Sequence, residues 1–280
     1  MTGNAAPVLR WPGAKWRIAE WAVGHLPHHD AYVEPYFGSG AVFFRKEPSR
    51  VEVINDLDGN VVTLFRVLRE QPQELSALIA LTPWSEQEYR ECWTALNVGG
   101  LSDLERARCL IVVTWQQMGR KPVTQRSSWR FREVRGQSPI TAWATLPDRI
   151  QHATERLAGA QISQMPATRL IEQTQGPDVL VYADPPYLSE IRSGARMYEH
   201  EMRDRAQHDE LIDALRAHLG PVVLSAYANE YYTSQLPGWH TVSTAARTQT
   251  NAQRAETLWI NPTAWRRLTN VSPVLLGGTA

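Results

Sequence analysis

The chain has 280 residues, 43% of them apolar and 21% charged, and its 29 basic side chains balance 29 acidic ones. These proportions are typical of a globular protein and exclude a disordered chain, and the lack of any run near about 18 apolar residues argues against a membrane span. The two cysteines, Cys92 and Cys109, exclude a disulfide scaffold and a four-cysteine zinc site, and the histidines lack metal-ligand spacing, so no metal site is predicted.

The amino-terminal part of the chain predicts a helix, a strand and a glycine turn. The helix is expected over 15–26, and a short strand at Tyr32-Val33 runs into the segment 34–40 and an apolar helix start at 41–44. Glycines without a Cβ let a ligand approach the backbone, and a helix start offers free N–H groups. The segment therefore predicts a nucleotide-binding turn, with a simple tight turn as the alternative.

A second strand is predicted at 51–54 and is followed by Asp56, about twenty residues beyond the glycine turn. A carboxylate at that position can bind ribose hydroxyls, with Asp58 as a competing ligand and an ordinary strand-end turn as the alternative. The same features occur in nicotinamide oxidoreductases. However, Phe43 replaces the third glycine of their Gly-x-Gly-x-x-Gly pattern, which disfavours hydride transfer.

The middle of the chain is predicted to be mainly helical. A helix is expected at 60–70, and capping boxes at Ser85 and Ser102 begin two more, the second running to Met118 and ending at Gly119. The long interval between strand patterns predicts that 72–176 is an inserted subdomain. The sheet domain would then comprise residues 1–71 and 177–270, followed by a flexible tail at 271–280.

A basic segment lies within the predicted insertion. It interleaves Trp129 and Phe131 with six basic residues against the single acid Glu133. An isolated patch of this kind is compatible with a solvated loop or with contact to nucleic acid phosphates. The six basic residues are Arg120, Lys121, Arg126, Arg130, Arg132 and Arg135.

A buried-strand pattern at 179–182 leads into the tetrapeptide Asp184-Pro185-Pro186-Tyr187. Active sites of open α/β sheets lie at the carboxyl ends of strands, and the two prolines remove backbone donors, which leaves acceptors directed outward. Asp184 and the carbonyl of Pro185 can each accept one hydrogen of an amino group, and Tyr187 offers a ring for stacking. A helix at 206–219 and a strand at 222–224 complete an α/β pattern with a parallel sheet.

These segments, in this order, resemble the Dam-type, D12-class family of DNA adenine-N6 methyltransferases. Ala14 stands where the family often has a second glycine, and Tyr36 where it often has phenylalanine. The segments that carry the resemblance are Trp11-Pro12-Gly13-Ala14-Lys15, the turn at 34–40, Asp56, Asp184-Pro185-Pro186-Tyr187 and the stretch 256–261.

The resemblance implies a Rossmann-like S-adenosylmethionine-dependent methyltransferase sheet, with the insertion as a mainly helical target-recognition subdomain. It further implies direct methyl transfer to the N6 amine of an adenine flipped out of double-stranded DNA, in the cytoplasm of a bacterium or phage-infected host. With that assignment, DNA contact is favoured for the basic segment. The resemblance is also compatible with a cognate restriction endonuclease as a partner. The cofactor-binding residues would be Trp11, Lys15, Glu34, Pro35, Tyr36, Phe37, Gly38, Ser39, Gly40, Asp56 and Asp184.

Alternatives to this function remain open at the level of sequence. The acceptor could be cytosine N4, RNA or a protein glutamine, and a catalytically inactive DNA-binding relative is a further alternative. Cytosine-C5 methylation is disfavoured because its nucleophilic cysteine typically follows proline, whereas Glu91 precedes Cys92 and Arg108 precedes Cys109. The stretch 188–205 is either a lid over the site or an ordinary mobile loop. Asp184, at an ordinary aspartate pKa near ~3.9, would be ionised at neutral pH.

Overall fold

The computed structural model describes residues 6–119, 121–131, 139–187, 202, 204–247 and 253–270. Within these ranges the chain forms one seven-stranded sheet in the order β3-β2-β1-β4-β5-β7-β6. The strands are β1 (Ala31–Glu34), β2 (Val51–Asn55), β3 (Ala160–Ser163), β4 (Val179–Ala183), β5 (Val222–Tyr227), β6 (His240–Arg247) and β7 (Gln253–Ile260).

Strands β1 to β5 pair in parallel, and β7 alone runs against its neighbours, antiparallel to both β5 and β6. The predicted α/β class with a mainly parallel, Rossmann-like sheet is confirmed. The four strands predicted from apolar runs correspond to β1, β2, β4 and β5, whereas β3, β6 and β7 were not predicted.

Eleven helices lie in the described part of the chain, and they cover both faces of the sheet. Their bounds are α1 (Ala19–Val23), α2 (Gly59–Glu70), α3 (Pro72–Leu81), α4 (Glu86–Val98), α5 (Asp103–Gln116), α6 (Pro139–Ala144), α7 (Leu146–Leu157), α8 (Ala167–Gln173), α9 (Arg205–Ala217), α10 (Glu230–Gln235) and α11 (Pro262–Asn270).

Alternating residues of the central strands pack against different helical layers. Leu180 and Tyr182 belong to the apolar cluster shared with α2 to α5 and α7, whereas Val181 and Ala183 pack with α8, α9 and α10. Because both faces of a parallel sheet are covered, its strands are mainly apolar. This alternation also places Asp184 on the same side as Tyr182, two residues earlier.

Several helix boundaries follow from local hydrogen bonds. The side chains of Ser85 and Ser102 accept bonds from the backbone N–H groups three residues on, so both predicted capping-box starts are confirmed. The helix predicted at 15–26 is shorter than expected, since only Ala19–Val23 is α-helical. The helix after Ser102 ends at Gln116, two residues before the predicted end at Met118.

The carboxyl-terminal part of the segment 72–176 contributes a strand and a helix to the sheet domain. Strand β3 pairs with β2 at one edge of the sheet, and α8 packs on α9, so residues 160–173 lie in the sheet layers. Helices α3, α4, α5 and α7 share one apolar cluster with α2 and the sheet. The division into domains stays a prediction. Within 72–176, the residues before β3 are the helical candidate for the target-recognition subdomain. The predicted tail at 271–280 lies outside the described residues.

Candidate active site

A cavity of about 430 Å³ lies where β1, β2 and β4 end. Glu34, Asp56 and Asp184 line it, each at or just beyond the carboxyl end of one of these strands. The carboxyl ends of parallel strands meet at one edge of a sheet, and ligands bind there in open α/β folds. The sheet order therefore brings together three carboxyl groups that are far apart in the sequence.

The lining includes most of the predicted cofactor-binding residues, and Gly40 is the one predicted residue that is not part of it. The predicted residues that do line the cavity are Trp11, Lys15, Glu34, Pro35, Tyr36, Phe37, Gly38, Ser39, Asp56 and Asp184.

The glycine turn after β1 depends on backbone conformation and on close packing. Gly38 and Gly40 have φ values of +50° and +66°, which side chains disfavour. A Cβ on Gly40 would lie 2.4 Å from Cζ of Phe37, and one on Gly38 would lie 2.9 Å from Cδ1 of Trp11. The expected helix start at 41–44 is wrong, because residues 41–45 form turns, in which the N–H of Phe44 donates to the carbonyl of Gly40 at 2.9 Å.

The two acidic residues after β2 have different hydrogen-bond partners. Asp56 Oδ2 accepts the backbone N–H of Gly38 at 2.8 Å, which ties the glycine turn to the end of β2. Asp58 is the N-cap of α2, and its Oδ1 accepts the N–H of Asn60 at 2.8 Å. Asp56 Oδ1 also accepts the N–H of Asp58 at 2.9 Å, so both carboxylates are held by backbone groups. Both line the cavity, and Asp56 and Asp58 both stay candidates for the ribose ligand.

Lys15 connects the residues of the predicted catalytic tetrapeptide. Its Nζ lies 2.8 Å from Oδ1 of Asp184 and 3.4 Å from Oε1 of Glu256, and it also donates to the hydroxyl of Tyr187. The Tyr187 hydroxyl in turn donates to Oε1 of Glu256 at 2.9 Å. The side chains of Lys15 and Glu256 are almost fully buried, whereas 19% of the Asp184 side chain stays exposed.

Burial and charge shift the pKa values in this group. Burial raises the pKa of Asp184, the Lys15 ammonium lowers it and the Glu256 carboxylate raises it, and the resulting pKa is about 6. The expectation of an ordinary aspartate pKa is therefore corrected. Burial alone would lower the pKa of Lys15, but the carboxylates of Asp184 and Glu256 raise it well above its ordinary value.

Glu34 is a buried carboxyl group at the end of β1. Its Oε2 accepts the hydroxyl of Tyr32 at 2.8 Å. Burial raises the pKa of Glu34 to about 8, although the bond from Tyr32 lowers it. Glu34 is thus mostly protonated at neutral pH and can donate a hydrogen bond into the cavity.

The tetrapeptide contributes to the site unevenly. Asp184 and Pro186 line the cavity, whereas Pro185 and Tyr187 do not. The ring of Tyr187 stacks on Tyr227 of β5, with centroids 4.2 Å apart and planes inclined by 29°.

Several cavity residues were missed by sequence reasoning. Residues 165–168 follow β3, a short and half-polar strand that gave no apolar run, and Gln207 and Glu210 come from α9. Glu256 lies in the stretch 256–261 noted for its resemblance, yet nothing in the sequence connected it with Lys15. The stretch 188–205, for which a lid and an ordinary mobile loop were the alternatives, lies outside the described residues except for 202, 204 and 205.

The basic segment folds back on the helices that precede it. Gln117 forms a β-bridge with Trp129, and the hydroxyl of Tyr89 and the indole N–H of Trp84 donate to carbonyls at 127 and 130. The side chain of Phe131 is 73% exposed. Lys121 and Arg126 are exposed and Arg130 is half-buried, whereas Arg120, Arg132 and Arg135 lie outside the described residues.

The described part of the chain contains no cluster of three or more histidine, cysteine, aspartate or glutamate side chains arranged to hold a metal ion. In the same ranges, none of the helices combines the length and the apolar character needed to cross a membrane.

Comparisons of the sequence with known proteins find methyltransferases. The family model described as D12 class N6 adenine-specific DNA methyltransferase matches residues 11–245. The chain is 25% identical over 210 residues to the type II methyltransferase M1.LlaDCHI of Lactococcus lactis subsp. cremoris, covering 71% of this chain and 72% of that protein.

Two shorter similarities are to DNA adenine methylases. The enzyme of Escherichia coli K12 is 29% identical over 66 residues, covering 24% of this chain and 23% of that protein. The enzyme of Vibrio cholerae serotype O1 is 31% identical over 65 residues, covering 23% of each. Among solved structures, the putative methyltransferase yhhF of E. coli aligns with 89% of this chain and 87% of its own at 12% identity, with a TM-score of 0.39.

Proposed function

The chain belongs to the D12 class of N6 adenine-specific DNA methyltransferases, and we propose that its methyl donor is S-adenosylmethionine and its target an adenine extruded from double-stranded DNA. One observation carries the proposal. A single cavity is lined both by the glycine turn with Asp56 and by Asp184 of the predicted catalytic tetrapeptide. The donor site and the acceptor site are therefore continuous.

The residues around the cavity fit the proposed donor. Its volume of about 430 Å³ suits a ligand of this size. Trp11, Tyr36 and Phe37 supply aromatic surface for the adenine and methionine parts, Asp56 supplies acceptors for ribose hydroxyls, and Lys15 lines the cavity with the ammonium that pairs with Asp184. When bound, S-adenosylmethionine supplies an electrophilic methyl group on a positively charged sulfur.

Asp184 and Pro185 orient the amino group of the target base. The Asp184 carboxylate accepts one N6 hydrogen and the Pro185 carbonyl accepts the other, so that the nitrogen lone pair turns out of conjugation with the ring. With a pKa of about 6, Asp184 is mostly ionised at neutral pH and can take up the N6 proton after transfer. Activity should therefore fall as the pH drops below about 6.

The extruded adenine stacks on Tyr187, whose ring Tyr227 supports at 4.2 Å. Extruding a base costs on the order of a few kcal/mol, and stacking on an aromatic ring returns about 1–3 kcal/mol. Contacts from basic side chains to DNA phosphates must supply the rest. We assign this role to the basic segment, of which Lys121, Arg126 and Arg130 are described.

The test is methylation by wild type, by Asp184→Ala and by the control Asp178→Ala. Asp178 is an exposed residue just before the same strand β4, and its Oδ1 pairs with Arg267 at 2.9 Å. We expect Asp184→Ala to lower the methylation rate by ~10²–10⁴-fold while binding of S-adenosylmethionine and DNA persists, and Asp178→Ala to remain active.

Labelled S-adenosylmethionine is offered with DNA, RNA and protein substrates in separate reactions. Label in RNA or protein and none in DNA would contradict the proposed acceptor. Full activity of Asp184→Ala would show that methyl transfer takes place at another site. A restriction-modification role in a bacterial or phage-infected cytoplasm is supported by the similarity to a type II methyltransferase. This role is tested by sequencing DNA from cells that express the protein, with a method sensitive to N6-methyladenine. The measurement identifies the sequence motif in which adenine is methylated.

A further inference from the structure

We propose, resting on the function above, that Glu256 is a positioning residue for methyl transfer: it holds Tyr187 and Lys15 in place and shares the Lys15 ammonium with Asp184. Glu256 lies on β7, 69 residues after Tyr187 in the sequence, and it does not line the cavity. It would act on the reacting groups only through the two side chains that it contacts.

The contacts of Glu256 are short and almost fully shielded from water. The side chain is 4% exposed. Its Oε1 accepts the Tyr187 hydroxyl at 2.9 Å and the Ser225 hydroxyl at 3.1 Å, and lies 3.4 Å from Nζ of Lys15. A buried carboxylate needs such partners, because an unpaired one costs several kcal/mol.

The pairing of β5 with β7 explains why two contacts meet at Tyr187. Glu256 is the register partner of Tyr227 in this antiparallel pair. The carboxylate of Glu256 engages the hydroxyl of Tyr187, and the ring of Tyr227 stacks on its face at 4.2 Å. Glu256 holds the hydroxyl of Tyr187, and Tyr227 holds one face of its ring. The orientation of the Tyr187 ring is therefore set before a base binds.

The charges in this group make Glu256 part of the electrostatics of Asp184. One ammonium, on Lys15, lies between two carboxylates. The Glu256 carboxylate raises the pKa of Asp184, and Lys15 lowers it. Removing the negative charge of Glu256 leaves Lys15 as the undivided counterion of Asp184, which should lower the pKa of Asp184.

Three other groups that face Asp184 stay neutral between about pH 5 and 7. Burial raises the pKa of Tyr182 and Tyr232, and burial raises the pKa of Glu34 to about 8. Glu34, Tyr182 and Tyr232 therefore do not titrate together with Asp184 in that interval. The groups considered, from every element that faces it, are Lys15, Glu34, Tyr182, Tyr187, Tyr232 and Glu256.

The experiment measures kcat and KM for DNA methylation between pH 5 and 8 for wild type, Glu256→Gln, Tyr187→Phe and the double variant. We expect Glu256→Gln to lower kcat by about 10- to 100-fold with a small change in KM for S-adenosylmethionine. Its acid limb should move to lower pH by about half a unit or more. Tyr187→Phe removes the hydroxyl that bonds Glu256, so its kcat should fall. It keeps the charge of Glu256, so its acid limb should stay near that of wild type.

The double variant shows whether Glu256 acts through Tyr187. We expect its loss in kcat to be smaller than the product of the two single losses, because both changes remove the same contact. Thr257→Val is the matched control: Thr257 is the next residue of β7, equally buried, and bonds the hydroxyl of Ser243 at 2.8 Å outside the site. That variant should keep the kcat and the acid limb of wild type.

An unshifted acid limb with wild-type kcat in Glu256→Gln would overturn the inference, as would losses that multiply in the double variant. If Glu256→Gln does not fold, judged by its thermal midpoint, Glu256→Asp decides. Its charge should preserve the acid limb while kcat falls, and an unchanged kcat would overturn the inference. Failure of the wild type to methylate DNA would contradict the proposed function instead.

Discussion

The site brings together four largely buried ionisable side chains, those of Lys15, Glu34, Asp184 and Glu256. Their positions decide which of them carry charge. Lys15 stays charged because two carboxylates face it, and Asp184 keeps a pKa near neutrality because burial and Lys15 oppose each other. Glu34 accepts a hydrogen bond from Tyr32, yet burial outweighs that bond and raises its pKa. Two nearby carboxyl groups thus differ in protonation at pH 7 for reasons of environment alone.

Glu34→Gln should stabilise the protein in a pH-dependent manner. The pKa of Glu34 is raised from 4.5 to about 8, so its favourable contribution to folding is complete below pH 4.5 and is lost as the pH rises to about 8. Glutamine retains an acceptor for the Tyr32 hydroxyl without the cost of ionisation. The thermal midpoint of Glu34→Gln should exceed that of wild type by about 4 °C or more at pH 9 and by less at pH 5.

Glu172→Gln serves as the control for this measurement. Glu172 is an exposed glutamate on α8, so its replacement should change the thermal midpoint little and equally at both pH values. An equal difference at pH 5 and pH 9 between Glu34→Gln and wild type would contradict the raised pKa of Glu34.

At the scale of elements, the glycine turn between β1 and β2 shows how two constraints combine. A positive φ disfavours any side chain, and the aromatic rings of Trp11 and Phe37 leave no room for one. The turn is joined to β2 through the bond from the Gly38 N–H to Asp56. A change in the turn should therefore reach the residue proposed to bind the ribose.

Gly40→Ala should destabilise the protein more than Gly100→Ala does. Both glycines have positive φ, +66° and +80°, and each alanine should cost about 1–2 kcal/mol for that reason. Only at Gly40 would the new Cβ meet an atom, 2.4 Å away on Phe37, whereas nothing lies within 4 Å at Gly100. The additional cost of about 1–3 kcal/mol is measured as a difference in free energy of unfolding by chemical denaturation.

Gly40→Ala should also weaken binding of S-adenosylmethionine, measured by calorimetry, because Phe37 must move and it lines the cavity. Equal destabilisation in the two variants would show that Phe37 gives way without cost and that conformation alone requires glycine at position 40.

At the scale of the whole molecule, zero net charge conceals an uneven distribution. The basic segment is fixed to the helices around it by hydrogen bonds from Tyr89 and Trp84, so its cations are held on a structured support. Helix α11 lies at the other end of the strands, where Arg267 bonds carbonyls that precede β1 and β4. Because the cavity with Asp184 lies at the carboxyl ends of the strands, DNA is expected at that edge of the sheet, away from α11.

Lys121→Gln should weaken DNA binding at all sequences and reduce its salt dependence. Each lost phosphate contact lowers the slope of log K against log salt by about 0.9. Arg266→Gln, an exposed arginine on α11, removes the same charge at the opposite end and should leave the slope unchanged. Fluorescence anisotropy at several salt concentrations measures both, and equal slopes for Lys121→Gln and wild type would remove Lys121 from the DNA interface.

Much of the fold was predictable because its central strands have a distinct pattern. Strands β1, β2, β4 and β5 are covered on both faces, so apolar residues dominate them even though Glu52 interrupts β2. Strand β3 lies at the edge of the sheet and alternates with polar residues, and β6 and β7 form a hairpin that is mostly polar except where β7 ends in Leu258-Trp259-Ile260. The missed strands are thus those in which polar residues are frequent.

The sequence by itself determined the chemistry of the site: the glycine turn, the carboxylate after the second strand and the acceptor-rich Asp184-Pro185-Pro186-Tyr187 are local patterns set by residue type and spacing. Only the tertiary structure decided that Lys15 lies against Asp184, that Glu256 engages Tyr187, and that Asp184 has a pKa near 6. The reason is physical. Burial and the distance between charges depend on how the strands are ordered in the sheet, and residues 15, 184 and 256 meet only after that order is formed.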